Sequence, residues 1–324
     1  MSIDMFMIHR EFEKNPRMMR EIYCETLIGL AAENENIVVL DADLISSSGM
    51  KPFYARFPDR AIQCGVAEAN MVGIAAGLSA MGKVPFAHSF GCFASRRVCD
   101  QIMISAAYAK QNVRIVGTDP GITAAYNGGT HMPFEDMGVL RSIPGITLLE
   151  PTDNVMLAEI LAQLSIVRGV YYMRMVRKNT VSIYREGSKF EIGRGNLLAD
   201  GRDVTIIASG IMVYQALKAA ETLASDNISA RVVDMFTWKP IDAGLVEDCA
   251  RITGAIVTAE NHNVIGGLGS AVAEAAAQSR PVPIEMVGVK DRFGQVGTED
   301  FLRAEYSLTA ADIVEAAKRA IARK

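Results

Sequence analysis

The run Gln63-Cys-Gly-Val-Ala-Glu68-Ala-Asn-Met-Val-Gly-Ile-Ala-Ala-Gly77 sets one carboxylate at the head of an alanine- and glycine-rich stretch. Val72, Ile74, Leu78 and Met81 supply apolar positions, while Ala69, Gly73, Ala76 and Gly77 leave a side of small residues. A helix of this kind can be packed closely on several sides, so Glu68 is expected to open a buried element. Burial of a carboxylate is costly without a partner or a task; the other reading is a first-turn Glu favoured by the helix dipole. Phe90 and Phe93 stand three apart and could form a flat slot for a heteroaromatic ring, or could pack in the core. His131 closes the Gly-rich stretch Gly128-Gly-Thr-His, and an imidazole on a mobile loop suits proton transfer better than one in a core.

These groups need elements to hold them. Asn15-Pro16 predicts a helix start, with Asn as N-cap and an apolar stripe Met19, Ile22, Tyr23, Leu27 and Leu30 behind it. Strands are expected at Ile37–Leu40, Val84–Phe90, Val113–Val116, Ile146–Leu149 and Val170–Met175, with helices between them, one of them spanning Cys92–Lys110. The alternation predicts a doubly wound, mostly parallel α/β sheet covered by helices. Ligands of such sheets bind at the C-terminal ends of the strands. Asp43, His88, Phe90, Asp119, His131, Arg174 and Arg177 fall at or just beyond those ends. A second alternation runs from Val204 to the C-terminus. The chain is therefore expected to form one domain over 1–186, a Gly-rich linker over 187–202 and a second α/β domain over 203–324.

Composition narrows the function. Half of the 324 residues are hydrophobic, 22% are charged, and the net charge is −4 without a dense basic cluster. Nucleic-acid binding has no electrostatic footprint, and no apolar run approaches a membrane span. The mixed charges of residues 1–20 fit neither a signal nor a transit peptide. Cys24, Cys64, Cys92, Cys99 and Cys249 are scattered, as expected of reduced thiols in a cytoplasmic protein. The four histidines lack metal-ligand spacing, so no protein-built metal site is expected. Gly266-Gly-Leu-Gly269 lacks the third glycine and the acidic residue of a dinucleotide fingerprint and reads as a packing turn.

Gly65-Val-x-Glu68-x-x-Met71 followed by the small-residue helix resembles the pyrimidine-binding domain of the transketolase group of thiamine-diphosphate enzymes. Phe90-x-x-Phe93, Arg97-x-x-Asp100-Gln101, Gly128-x-Thr-His131-x-Pro133 and Asp43-Leu-x-x-Ser47 extend that resemblance. Phe236-Thr-x-Lys-Pro-Ile-Asp242, Glu260-Asn-His-Asn and Asp291-Arg-Phe-Gly294 are similar to its C-terminal domain. The resemblance implies that Glu68 hydrogen-bonds the aminopyrimidine and drives its tautomerisation, with Phe90 and Phe93 holding the ring and Asp43 nearby. It implies that His131 assists proton transfer or holds substrate hydroxyls, and that Ser47 and Arg177 meet a distal phosphate, a role suited to the planar arginine fork. His88, Asp119 and Asn127 stand where the family usually carries other residues, so they are expected to face a changed substrate.

The diphosphate-binding domain with its Gly-Asp-Gly motif has no counterpart here. The resemblance therefore implies a C-terminal subunit of a split transketolase, active only with an N-terminal partner that supplies the Mg²⁺ ligands. The expected assembly is an α2β2 heterotetramer in which copies of this chain touch, and the substrates are small sugars. The alternatives are a subunit like deoxyxylulose-phosphate synthase or the beta subunit of 2-oxo-acid dehydrogenases, or a non-catalytic partner.

Overall fold

The computed structural model describes residues 7–324, so the first six residues of the expected N-terminal domain lie outside the described residues. The chain divides into two compact units: Met1–Pro120 with Val139–Phe190, and Gly121–Gly138 with Glu191–Lys324.

The first unit is built on β1 (Ile37–Asp41), β2 (Ala61–Gln63), β3 (Val84–Phe90), β4 (Val113–Thr118), β5 (Ile146–Leu149) and β6 (Val170–Met175). They lie in the order β5-β6-β4-β3-β1-β2, every pair parallel. Strands β1 and β4 are buried throughout, as a sheet covered on both faces requires, with Arg114 of β4 donating to the carbonyls of Leu164, Asn112 and Val167. Helices α1 (Met19–Glu33) and α4 (Glu68–Ala80) cover opposite faces. The proof is on β3, where His88 packs its ring against Tyr23 of α1 and the next residue, Ser89, reaches Glu68 of α4. Short helices α2 (Ile45–Ser48) and α3 (Lys51–Arg56) follow β1. Helix α5 (Cys99–Gln101) runs on into a π-helical stretch, Ile102–Tyr108, and α6 is Asp136–Arg141. Helix α7 (Asn154–Ile166) is capped by buried Asp153: Oδ1 accepts from Met156 N at 3.0 Å, and Oδ2 accepts from Ile183 N and Tyr184 N. Burial raises the pKa of this aspartate despite its amide donors.

In the second unit β7 (Asn196–Ala199), β8 (Val204–Ala208), β9 (Ala230–Asp234), β10 (Thr237–Lys239), β11 (Ile256–Asn263) and β12 (Ile284–Val289) alternate with α8 (Met212–Ser225), α9 (Ala243–Thr253), α10 (Leu268–Gln278), α11 (Glu299–Glu305) and α12 (Ala310–Ile321). The sheet runs β12-β11-β8-β9-β7, parallel except where β7 meets β9. Both units are thus mostly parallel α/β layers, as the alternation predicts.

Four local expectations are corrected. Helix α1 begins at Met19, not behind Asn15, because Asn15 and Pro16 are drawn alongside residues 179–182; Asn15 N donates to Thr180 O and Asn179 Nδ2 to both their carbonyls. Cys92–Lys110 is not one helix: a turn and a 3₁₀ stretch (Arg96–Val98) precede α5. The polar loop after β4 carries two 3₁₀ segments, Gly121–Asn127 and Gly129–His131. Within the stretch expected as a linker, residues 196–199 form β7.

Candidate active site

Helix α4 begins at Glu68 because Gly65, at φ +70°, turns the chain off β2, and Gln63 Oε1 accepts from both Gly65 N and Asp43 N. The small residues of α4 let it lie against β3, which leaves the Glu68 side chain only 2% exposed. Its carboxylate is fully engaged: Oε1 accepts from the Ser89 hydroxyl at 3.2 Å and Oε2 from Arg97 Nη1 at 2.7 Å. Glu68 is thus buried and partnered while also standing in the first turn of α4.

The Arg97 guanidinium also lies 3.8 Å from the Phe93 ring centroid. Phe93 meets Phe90 edge-on, with centroids 6.2 Å apart and planes at 74°. Beyond Phe90 a second guanidinium, that of Arg177, sits 4.8 Å from its ring. Arg177 donates from Nε to Asp119 Oδ2 at 2.8 Å, with Nη2 on the same oxygen, and from Nη1 to the Ser47 hydroxyl and carbonyl. The ends of β1, β3, β4 and β6 thus build one continuous row: Glu68, Arg97, Phe93, Phe90, Arg177, then Asp119 and Ser47. Cation–π stacking of this kind contributes about 0.5–2 kcal/mol per contact, more where water is excluded.

Asp119 is 1% exposed, and its Oδ1 has no hydrogen-bond partner among the described residues. Like Asp43, at φ 64°, it takes a left-handed backbone, at φ 57°. Asp43 is exposed and its carboxylate makes none of the contacts that join the row. His88 lies beneath the row, 1% exposed, with Nε2 2.7 Å from Asp41 Oδ2. Parallel register sets these two residues side by side on β1 and β3. Burial alone would raise the Asp41 pKa; the hydrogen bond and charge of His88, the Leu44 amide and the Ser48 hydroxyl together hold it below the usual aspartate value. Arg174 is buried against Glu150 at 3.1 Å, an internal ion pair apart from the row.

His131 and Asn127 belong to the loop that packs with the second unit. His131 is half-buried, with Nδ1 3.0 Å from the Thr130 hydroxyl, and Asn127 is exposed. The loop is pinned by the second unit's own motifs. Asn261 Oδ1 accepts from Ile122 N, His262 Nε2 from Gly138 N, and Asn263 N donates to Phe134 O. Gly129 packs on the Gly294 backbone so closely that a Cβ there would stand 2.1 Å from the carbonyl oxygen. In the same unit Glu260 accepts from Leu268 N and Gly269 N, so the first turn of α10 is closed by the chain's own carboxylate, as a packing turn requires.

Arg97, Arg20, Asp41 and Ser89 contact the residues singled out from the sequence or their neighbours, and they carry no role in the sequence analysis. Arg97 stood in a quoted motif, and Asp41 in Asp-Ala-Asp at a strand end; those were the available signals. Arg20 and Ser89 carry none, since their partners are 27 and 21 residues distant.

Residues 15–181 match the family model described as "Transketolase, pyrimidine binding domain", and residues 193–313 match "Transketolase, C-terminal domain". The chain is 50% identical over 314 residues to the 6-deoxy-6-sulfo-D-fructose transketolase subunit SqwH of Clostridium sp. (strain MSTE9), covering 97% of this chain and 98% of that one. It is 34% identical to a subunit of the apulose-4-phosphate transketolase of Phocaeicola vulgatus, over 92% of this chain and 96% of that one. A solved structure described as "Split gene transketolase, inactive beta4 tetramer" superposes with a TM-score of 0.89 at 43% identity, covering 95% of this chain and 99% of that one. The chain belongs to the transketolase family, whose pyrimidine-binding and C-terminal domains it carries, and it is a transketolase-type transferase.

Proposed function

We propose that this chain is the C-terminal subunit of a split, thiamine-diphosphate-dependent transketolase, moving a two-carbon ketol unit from a ketose with an anionic terminus to an aldose. The observation that carries the reading is the row from Glu68 to Asp119. The residues fit the cofactor's aminopyrimidine: the Arg97 guanidinium, planar and rich in N–H donors, already stacks on Phe93 and donates to Glu68. Glu68, Phe90 and Phe93 would hold that ring, with Asp43 beside it. The bound cofactor supplies the electron sink for carbon–carbon cleavage. What the chain supplies is position and proton handling. Glu68, itself buried, would exchange a proton with a ring nitrogen, and the two phenylalanines would hold the ring. His131 moves a proton at, or holds, the substrate hydroxyls, with Asn127 on the same loop. His88 acts on the substrate side through Asp41 and the strand ends, while Ser47, Asp119 and Arg177 receive the distal group. The relative SqwH is named for 6-deoxy-6-sulfo-D-fructose, which supports a terminal sulfonate on the substrate here.

The reading assigns the diphosphate, and the Mg²⁺ that neutralises it, to an N-terminal partner subunit in an α2β2 assembly, in the cytoplasm. Support for a partner comes from the split relatives and from the description of the solved neighbour as an inactive β4 tetramer. Contacts between copies of this chain are supported by α4, whose Asn70, Gly73 and Gly77 face outward. The free cysteines suit a reducing compartment. The test is reconstitution. The purified chain should turn over no ketose, and activity should appear on adding the diphosphate-binding partner, thiamine diphosphate and Mg²⁺. Turnover by this chain alone at ordinary enzymatic rates, about 1 s⁻¹ or faster, would overturn the split-enzyme reading.

A further inference from the structure

Two guanidinium groups meet at Ser47. Arg20, in the first turn of α1, donates from Nη1 to the Ser47 carbonyl oxygen at 3.0 Å, and Arg177 donates from Nη1 to the same oxygen at 3.3 Å. The two are tied again through the backbone, Arg20 N to Arg177 O. Sharing one acceptor brings like charges within a few ångströms, an arrangement that needs negative charge beside it. Asp119 supplies one carboxylate, buried and bound through Oδ2 to Arg177. The cluster is left with one net positive charge. Asp119 Oδ1 is buried with no donor among the described residues, so Arg177 on Oδ2 is what offsets its charge toward whatever the two guanidinium groups receive.

We propose that Asp119 makes this cluster a reader of anion charge, accepting a terminal group with a single negative charge, such as a sulfonate, over a phosphate dianion. The inference rests on the transketolase reading above. Shape cannot separate the two groups, because both are tetrahedral with three terminal oxygens. Charge can. A sulfonate brings the cluster to neutrality. A phosphate monoester carries about −1.5 to −2 at neutral pH and sets a surplus negative charge beside a buried carboxylate, where repulsion is screened less than in water. Like-charge juxtaposition in a desolvated contact is a strong discriminator.

The experiment compares kcat/KM for 6-deoxy-6-sulfofructose and fructose 6-phosphate in the complex reconstituted with the partner, thiamine diphosphate and Mg²⁺. Three forms are measured: wild type, Asp119→Asn, which keeps the shape without the charge, and Asp119→His. Both substitutes tolerate a left-handed backbone, and either carries the test if the other fails to fold. Deuterium exchange at the cofactor's thiazolium carbon is followed alongside. The wild type should favour the sulfonate by about tenfold or more, and each variant should cut that ratio about tenfold, mainly through a lower KM for the phosphate. A wild type that prefers the phosphate, or a ratio unmoved by both variants, would overturn the proposal while leaving the transketolase reading standing. Collapse of deuterium exchange in both variants would also overturn it, by placing Asp119 with the cofactor. Absence of turnover on either ketose by the wild-type complex would bring down the transketolase reading and this proposal with it.

Discussion

Glu68 is held by two partners that come from different elements, Ser89 on β3 and Arg97 ahead of α5. Glu68→Gln keeps its shape but cannot exchange a proton with a ring nitrogen. Turnover of the assembled enzyme should fall at least about a hundredfold, the usual share of a positioned acid–base group, with folding and assembly intact. Deuterium exchange at the thiazolium carbon running at the wild-type rate would remove Glu68 from that role. Asp41 makes a different prediction. Its folded pKa lies below the usual aspartate value, so the stability it confers is full above that value and drains away as pH falls through the lower folded one. Denaturant titrations of Asp41→Asn should show lower stability near neutrality, by about 1–3 kcal/mol for the abandoned His88, and a flatter acid limb below about pH 4. Parallel acid limbs would contradict the linkage. At this scale Glu68, Phe90, Phe93 and Arg177 were singled out by the resemblance of their motifs, while type and spacing alone left each an ordinary capping, packing or surface role as well. Arg97 and Arg20 gained meaning only when the fold brought a carboxylate and a carbonyl to them.

Elements were legible where their pattern was strong. The continuous apolar strands and the alanine-rich α4 follow from periodicity and propensity alone. Failures came where tertiary partners overrode local signals: the segment 179–182 captured the Asn15-Pro16 cap, and β9 recruited β7 out of a Gly-rich stretch. The loop carrying His131 was expected to be mobile, yet its backbone is packed against Asn261, His262 and Gly294. A prediction belongs here. Gly129→Ala would place a methyl 2.1 Å from the Gly294 carbonyl oxygen, a backbone atom with no rotamer to yield. The loop must shift, at a cost of about 1–3 kcal/mol. In the assembled enzyme kcat should drop severalfold or more, with the midpoint of thermal unfolding moved only a few degrees. Unchanged kcat with lowered stability would show that the loop's position does not matter to turnover.

For the molecule as a whole, the two units are not consecutive halves: Gly121–Gly138 leaves the first unit to pack with the second. Composition along the chain cannot reveal such an exchange, because it lies in pairings such as Ile122 with Asn261, 139 residues apart. The outward face of α4 matters at this scale too. A side chain built at Gly73 or Gly77 meets no atom within 4 Å, so substitution there is sterically free within the chain. Gly77→Arg should therefore fold normally. In sedimentation velocity it should run as a smaller species than the wild type, since a charged side chain would be buried unpaired between copies. An unaltered sedimentation profile would mean that copies do not meet across α4.

The left-handed turns at Asp43 and Asp119 have an evolutionary reach. Outside glycine, that backbone region is enriched in asparagine, aspartate and histidine, and four of the seven non-glycine residues that take it among the described residues are aspartate or asparagine. Mutation can sample any codon at position 119, but the turn favours a short alphabet: an anion, a neutral amide, a titratable imidazole, or no side chain. Each letter of that alphabet differs from the next mainly in charge. Drift at this one strand end, constrained only by the need to keep the turn, would therefore step through substrate charge states without repacking the core.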